Sequence, residues 1–289
     1  MIICDYSGIA VSGVFSQVKP DKIEENFIRH IILNSLRMYN LKYRDKYGAM
    51  VIACDGGSWR KDYFPEYKGA RRKNREASAL DWTEIFRIIN KIKDEISECL
   101  PYAVIQHPKA EADDVIAALV ETTQQFGNYE PVMIVSADKD FIQLQKYNNV
   151  QQFSPLTKKL VSDKNPQRYL LEHVFKGDSS DGVPNVLSAD RVFLEEGSRQ
   201  TPLRANKIEE WCKAIANDNL QAVMPDDIYR NYIRNLNVID LSKTPDDIKN
   251  GILETYNNRP TKNNSKVLNY LISQRCNLLI SCVNEFFHK

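Results

Sequence analysis

The chain has 289 residues, and its 43% hydrophobic content is enough for one large or two modest domains with a sizeable core. The formal net charge of +1 excludes a uniformly basic surface, so any nucleic-acid site must arise from a local concentration of charge. Six cysteines without a CxxC pair, and a first apolar stretch interrupted by Asp5, predict a cytoplasmic protein with reduced thiols, no signal peptide and no membrane span.

Three apolar segments, far apart in the chain, each end in aspartate. MIICD ends at Asp5, MVIACDGG carries Asp55, and PVMIVSADKD carries Asp138 and Asp140. Such runs predict strands buried on both faces of a parallel sheet, with the charges just past the strand ends. Parallel strands joined by helices bring these ends to one edge, so the carboxylates should converge. Clustered carboxylates without histidine or thiolate partners indicate Mg²⁺ or Mn²⁺, although one acid of the last pair could simply cap the next helix.

A basic segment, WRKDYFPEYKGARRKNR, follows the second of these strands. From Arg60 to Arg75 it contains seven basic and two acidic residues, a net charge of +5. Aromatic residues, including Trp59, Phe64 and Tyr67, are interleaved with the charges, which suits phosphates with bases stacked on aromatic faces. A solvated, flexible basic loop is the alternative. The predicted nucleic-acid contacts are Arg60, Lys61, Tyr67, Lys68, Arg71, Arg72, Lys73 and Arg75.

A short strand, YAVIQH, precedes a helix with an acidic first turn. The sequence KAEADDVIAALVETT begins with Glu111, Asp113 and Asp114 and continues with apolar residues at helical spacing. Glu111 and Asp114 share a helix face, whereas Asp113 is rotated by about 100° from Asp114. Acids in a first turn also suit the positive end of the helix dipole, which is the alternative. Three acids within four residues favour a contribution to the metal site.

The rest of the chain becomes helical. NVQQFS and KKLVS around SPLT predict an edge hairpin, and from about residue 166 helical segments are broken by prolines. The turn KGDSSDGVPNV carries Asp178 and Asp181, for which a plain Asp/Gly turn is the alternative. The acids suffice for two divalent ions, a clamp used in phosphoryl chemistry. The predicted fold is α/β, with a mostly parallel sheet flanked by helices over residues 1–165 and a smaller helical domain over 166–289.

The order of these motifs resembles the 5′ nuclease family of flap endonucleases and polymerase-associated 5′–3′ exonucleases, and within it the RNases H of T-even phages. The motifs are MIICDYS, IACDGG, FPEYKGAR, EADDVIA, SADKDFIQL and GDSSDGVPNV, followed by YIRNLNVIDLSKTPDDI. The resemblance implies a PIN-like 5′ nuclease fold with a basic arch at about residues 56–80. It also implies a metal-dependent 5′–3′ exonuclease and flap endonuclease with RNase H activity, which removes RNA primers from lagging-strand fragments and leaves 5′ phosphates.

The resemblance also implies residue roles and two Mg²⁺ ions, for which Mn²⁺ would substitute. Lys68 and Arg71 would reach the scissile phosphate. The inner ion would be held by Asp5, Asp55, Asp113 and Asp138, with Glu111 and Asp114 close by; these six acids, Lys68 and Arg71 form the implied catalytic set. The outer ion would be served by Asp140, Asp178 and Asp181, partly through water.

The implied substrates are RNA–DNA and DNA duplexes with 5′ ends, nicks or flaps. The protein is expected to be a monomer in the cytoplasm, which would be the host cytoplasm if a phage encodes it. A single-stranded DNA-binding protein and a sliding clamp are further candidate partners. The carboxyl-terminal ISCVNEFFHK has Val283, Phe286 and Phe287 at a spacing similar to clamp-binding peptides, whereas helix core is the alternative.

Several patterns argue against other sites and functions. NVLSADRVF stands where many relatives have a glycine-rich GVxGIG hairpin, so a bound potassium ion is not expected. His30, His107 and His173 stand alone in the sequence and are predicted to be structural or surface residues. A replication-fork DNA-binding accessory protein without catalysis, or a phosphatase of another α/β class, remain the alternative functions.

Overall fold

The computed structural model describes residues 1–18, 23–71, 75, 80–125, 128–260 and 264–287. The chain forms two compact units. The first contains Met1–Gly57, Ala79–Ser162 and Asp246–Lys289, and the second contains Ser58–Ser78 and Asp163–Pro245. The two domains predicted from the sequence, residues 1–165 and 166–289, group the chain differently from these two units, and that domain boundary stays a prediction.

The first unit is built on a sheet that has six strands in the described residues, in the order β3-β2-β1-β4-β5-β6. All neighbouring strands are parallel except β5 and β6, which are antiparallel. The predicted mostly parallel sheet and its edge hairpin are therefore confirmed. The strands are β1 Ile2–Asp5, β2 Met50–Cys54, β3 Ala103–Gln106, β4 Val132–Val135, β5 Val150–Ser154 and β6 Lys159–Val161.

Helices account for most of the remaining described chain, and none of them is long and apolar enough to span a membrane. Short 3₁₀ helices span Lys139–Lys146, Leu241–Lys243 and Val283–Phe286. The α-helices are α1 Tyr6–Gln17, α2 Glu25–Tyr47, α3 Arg60–Tyr63, α4 Trp82–Cys99, α5 Ala112–Thr123, α6 Pro166–Lys176, α7 Ala205–Ala216, α8 Leu220–Val223, α9 Asp226–Ile239, α10 Asp246–Asn257, α11 Lys266–Ser273 and α12 Asn277–Ile280.

Both faces of the sheet are covered. Ile2 and Cys4 of β1 belong to a core cluster with apolar residues of α1, α2 and α4. The intervening Ile3 is also fully buried, and α5 contacts β1 and β2. Because strand side chains alternate between faces, burial on both sides explains the continuous apolar runs in the sequence.

The end of the chain packs against α2. Phe286 is fully buried, and Val283 and Phe287 pack against the same core. The Asn40 side-chain amide donates to the Phe287 carbonyl oxygen at 3.2 Å. These contacts favour the core interpretation of this segment over a clamp-binding peptide.

The second unit has its own core around Trp211 of α7. The ring of Phe175 lies 5.3 Å from that of Trp211 and 5.3 Å from that of Tyr232. Phe64, from the basic segment, belongs to this core cluster, and Trp59 is also buried. Tyr67 is buried in the same cluster. The prediction that Trp59, Phe64 and Tyr67 stack on bases is therefore wrong, since all three are buried in the protein.

Candidate active site

Asp5 lies at the carboxyl end of the central strand β1 and caps helix α1. Its Oδ1 accepts from the Gly8 amide at 2.9 Å, and its Oδ2 accepts from the Ser136 hydroxyl at 2.9 Å. Burial, together with the nearby charges of Asp55 and Asp138, raises the pKa of Asp5 to about 6 despite these hydrogen bonds. Asp55 and Asp138 therefore lie close enough to Asp5 for their charges to act on it. This agrees with the prediction that the carboxylates at the strand ends converge.

Asp55 follows strand β2, and its side chain accepts hydrogen bonds from the first turns of helices α1 and α5. Its Oδ2 accepts from the Ser7 hydroxyl at 2.6 Å, and its Oδ1 accepts from the Ala112 amide at 2.9 Å. The Ala112 amide belongs to the first turn of α5, where backbone donors lack partners inside the helix. The carboxylate of Asp55 thus brings the acidic first turn of α5 to the end of β2.

Asp138 caps the 3₁₀ helix that follows β4. Its Oδ1 accepts from the Asp140 amide at 2.9 Å, and its own amide donates to the Ser136 hydroxyl oxygen at 3.1 Å. The capping interpretation is confirmed for Asp138. It is compatible with metal binding, because Asp138 is exposed and a carboxylate has about four acceptor positions. Asp140 is half-buried two residues further on.

The acidic first turn of α5 contains two kinds of carboxylate. Asp114 is fully buried, and its Oδ2 accepts from the Glu111 amide at 2.9 Å, so it holds the start of the helix. Glu111 is buried beside it, whereas Asp113 is half-buried. Asp114 is thus part of a capping box at the start of α5, and a metal contact by Asp114, Glu111 or Asp113 stays a prediction.

Two serines that sequence reasoning missed hold this cluster together. Ser136 contacts both Asp5 and Asp138, and Ser7 contacts Asp55. The signal in the sequence is weak: each serine lies two residues from one of the aspartates, in DYS and SAD. Serine is common at such positions, so spacing alone does not indicate the contact.

In the second unit, the carboxylate of Asp181 contacts three side chains of the basic segment. Its carboxylate accepts from the Tyr67 hydroxyl at 2.7 Å, lies 3.4 Å from Lys68 Nζ, and forms an ion pair with Arg71. The Lys68 amide also donates to the Asp181 carbonyl oxygen at 2.6 Å. The two residues predicted to reach the scissile phosphate are therefore held by one acid.

Asp178 lies in the same turn and has other partners. Its Oδ1 accepts from the Ser180 amide at 2.7 Å, and its Oδ2 lies 3.7 Å from His173 Nε2. Burial opposes ionisation of Asp178, but the contacts with His173 and Ser180 outweigh it and lower the pKa below its usual range. His173, predicted to be structural or a surface residue, thus contacts a predicted metal ligand.

The other predicted nucleic-acid contacts differ in exposure. Arg60 is only 1% exposed, and its Nε donates to the Val238 carbonyl oxygen at 2.8 Å, so its side chain is held inside the protein. Lys61 and Arg75 are exposed. Arg72 and Lys73 lie outside the described residues.

The donor set of the first unit fits a hard divalent cation. Asp5, Asp55 and Asp138 offer carboxylate oxygens at one edge, and burial, together with the charges of Asp55 and Asp138, raises the pKa of Asp5. Oxygen-only donors of this kind suit Mg²⁺ or Mn²⁺, and a bound cation would relieve the repulsion.

Comparison with known proteins agrees with these features. Residues 15–174 match the family model of the 5′–3′ exonuclease N-terminal resolvase-like domain, and residues 164–286 match that of the T4 RNase H C-terminal domain. The chain is 35% identical to ribonuclease H of Enterobacteria phage T4, over 98% of this chain and 95% of that protein. It is 30% identical to a 5′–3′ exonuclease of Buchnera aphidicola, over 51% of this chain and 50% of that protein.

Solved structures share the fold. The 5′-exonuclease of phage T5 with bound zinc covers 90% of this chain and 99% of its own, at 16% identity and a TM-score of 0.63. The T5 flap endonuclease in a complex with DNA and metal ions covers 89% of this chain and 98% of its own, at 18% identity and a TM-score of 0.62. The chain belongs to the 5′–3′ exonuclease family of metal-dependent nucleases, and its carboxyl-terminal part is of the T4 RNase H type.

Proposed function

We propose that this nuclease hydrolyses phosphodiesters of RNA–DNA and DNA duplexes from the 5′ end, as a Mg²⁺-dependent 5′–3′ exonuclease and flap endonuclease with RNase H activity. The observation that carries the proposal is the cluster of Asp5, Asp55 and Asp138 at the carboxyl edge of the sheet. The 35% identity to a ribonuclease H supports a hybrid substrate, and the DNA complex of the T5 relative supports a DNA duplex. Its biological role would be to remove RNA primers during DNA replication, and it would act in the cytoplasm.

The carboxylates at the sheet edge have the chemistry to hold Mg²⁺. Asp5, Asp55, Asp113 and Asp138 would hold one ion, and Asp140 would contribute to a second. Bound metal lowers the pKa of a coordinated water and neutralises charge on the phosphate. Mn²⁺, which accepts the same oxygen donors, should substitute.

The protein's own hydrogen bonds prepare this cluster. Ser136 and the Gly8 amide fix the carboxylate of Asp5, and Ser7 and the Ala112 amide fix that of Asp55. Donors already in place reduce the reorganisation needed when a ligand binds. In the phosphate-contact role, Lys68 and Arg71 would offset the negative charge that develops on the phosphate in the transition state.

A set of labelled substrates tests the proposal: an RNA-primed nick, a 5′ flap and a blunt duplex, each incubated with Mg²⁺, with Mn²⁺ or with a chelator. We expect cleavage from the 5′ end with either metal, products that carry a 5′ phosphate, and no cleavage with the chelator. Folded protein that binds these substrates without cutting any of them would instead indicate a DNA-binding accessory protein.

A further inference from the structure

Gln152 is a polar residue in the interior of the sheet. It lies in strand β5, pairs with Ile134 of β4, and is 0% exposed. An aliphatic side chain would be buried there at lower cost, because a buried amide loses its hydrogen bonds to water and must replace them. The partners of Gln152 therefore bear on why a polar side chain stands at this position.

The side-chain amide of Gln152 donates to the turn that follows β4. Its Nε2 donates to the Ser136 carbonyl oxygen at 3.1 Å and to the Asp138 carbonyl oxygen at 2.5 Å. Its Oε1 accepts from Gln145 Nε2 at 3.2 Å. Because both groups in the turn are carbonyl acceptors, the nitrogen end of the amide must face them. The two N–H groups of one glutamine match this pair of acceptors.

These bonds lie at the point where the main-chain ladder stops. The pairing of β4 with β5 ends with the Ser136 amide, which donates to the Phe153 carbonyl oxygen at 3.1 Å. Beyond it the chain leaves the sheet and begins the 3₁₀ helix Lys139–Lys146. The Gln152 amide thus supplies donors to a turn that the ladder no longer holds.

Asp138 is thereby held on both sides of its Cα atom. Its amide donates to the Ser136 hydroxyl oxygen at 3.1 Å, and its carbonyl oxygen accepts from Gln152. The direction of a side chain is set by the main chain that carries it. Groups that orient a metal ligand typically change metal affinity by about 10–100-fold when they are removed.

We propose that Gln152 is a positioning residue of the metal centre: its buried amide fixes the turn at residues 136–138 and so orients the carboxylate of Asp138 for a divalent cation. The inference rests on the proposed function, in which Asp138 holds that cation. Loss of the amide should weaken metal binding even where the protein stays folded. A purely structural role predicts a lower melting temperature with unchanged affinity for metal.

Mn²⁺ binding to the full chain without substrate is the first readout. Mn²⁺ accepts the same oxygen donors as Mg²⁺, and the electron paramagnetic resonance signal of free Mn²⁺ shows how much is bound. Gln152→Met keeps a side chain of similar length but loses both donors. We expect it to raise the dissociation constant for Mn²⁺ by about 10-fold, and the Mg²⁺ concentration for half-maximal cleavage of the 5′ flap by a similar factor.

Thermal melting of each preparation separates this effect from loss of the fold. If Gln152→Met is unfolded at the assay temperature, Gln152→Asn takes its place. Asparagine keeps the amide but is one methylene group shorter, so its nitrogen is drawn back from the two carbonyls. It should raise the dissociation constant for Mn²⁺ in the same direction.

Gln145→Met is the matched control. It removes the bonds from Gln145 to Gln152 Oε1 and to the Val161 carbonyl oxygen, but leaves both donors of Gln152 on the turn. Its affinity for Mn²⁺ should stay close to that of wild type. A folded Gln152 variant with wild-type affinity, or equal weakening by Gln145→Met, would overturn the inference alone. A wild type that neither binds Mn²⁺ nor cleaves any substrate would overturn the proposed function as well.

Discussion

The hydroxyl of Ser136 donates to Asp5 Oδ2 at 2.9 Å. The hydroxyl oxygen of Ser136 also accepts from the Asp138 amide at 3.1 Å, so one buried side chain links the end of β1 to the turn after β4. Groups that orient metal ligands in this way usually change metal affinity by about 10–100-fold when removed.

Ser136→Ala should therefore raise the Mg²⁺ concentration for half-maximal cleavage by about 10-fold or more while leaving the fold intact. The carboxylate of Asp5 would lose one of its two donors, and its orientation would be less fixed. A Mg²⁺ titration of the cleavage rate measures the effect. Ser12→Ala, which removes a serine hydroxyl that contacts the Ile9 carbonyl in helix α1, is the control and should not change the titration.

Asp138→Asn should abolish hydrolysis, because an amide brings no negative charge to a bound divalent ion. Folding should survive, since the substitution removes one of the negative charges that add to the effect of burial in raising the pKa of Asp5. Cleavage assays in Mg²⁺ and thermal melting of the same preparation check both statements. Wild-type activity of this variant would remove metal-dependent hydrolysis at this cluster from consideration.

The sheet and its carboxylate edge could be predicted because the physical options were few. An apolar run that ends in aspartate has one inexpensive arrangement, in which the strand is buried and the charge lies at or past its carboxyl end. Asp5 is the last residue of β1, and Asp55 and Asp138 follow β2 and β4. The helix-capping contact of Asp138 was an open alternative, whereas for Asp114 only an interaction with the helix dipole was considered, and the structure shows a capping contact instead.

The basic segment was harder to predict, because composition does not show which side of a segment faces the core. Trp59 and Phe64 suited base stacking, but the structure buries both, and Arg60 is tied to the Val238 carbonyl. Ser136 contacts both Asp5 and Asp138 only because its side chain points toward them at the edge of the sheet, and the sequence does not show that direction. Contacts between residues as distant in sequence as Tyr67 and Asp181 have no periodic signal at all.

Acid should destabilise the protein partly through Glu25. Hydrogen bonds from Lys91 and Arg29 lower the pKa of Glu25 to about 2 in the folded protein, from an ordinary value of 4.5. A lowered pKa stabilises the fold above the ordinary value, and this contribution is lost as the pH falls from about 4.5 to 2. Melting temperatures measured across this range should fall less steeply for Glu25→Gln than for wild type.

Glu98→Gln provides the control for this experiment. Glu98 is an exposed acid on helix α4, and its replacement should leave the steepness of the acid transition unchanged. Arg29 is fully buried and also pairs with Glu95, so Glu25→Gln should keep the fold at neutral pH with a lower melting temperature. An identical pH dependence for Glu25→Gln and wild type would contradict the assignment.

Lys68→Ala distinguishes a contact made in the transition state from general attraction of nucleic acid. If Lys68 only attracts phosphates, its loss should lower the affinity and the salt dependence of binding, and excess enzyme should restore the cleavage rate. If Lys68 contacts the reacting phosphate in the transition state, its loss should instead lower the single-turnover rate by about 10²-fold at saturating enzyme, with little change in binding. Lys61→Ala, an exposed lysine of the same segment, is the matched control and should be rescued by excess enzyme. Equal rescue of both variants on one RNA-primed substrate would reduce Lys68 to an ordinary phosphate contact.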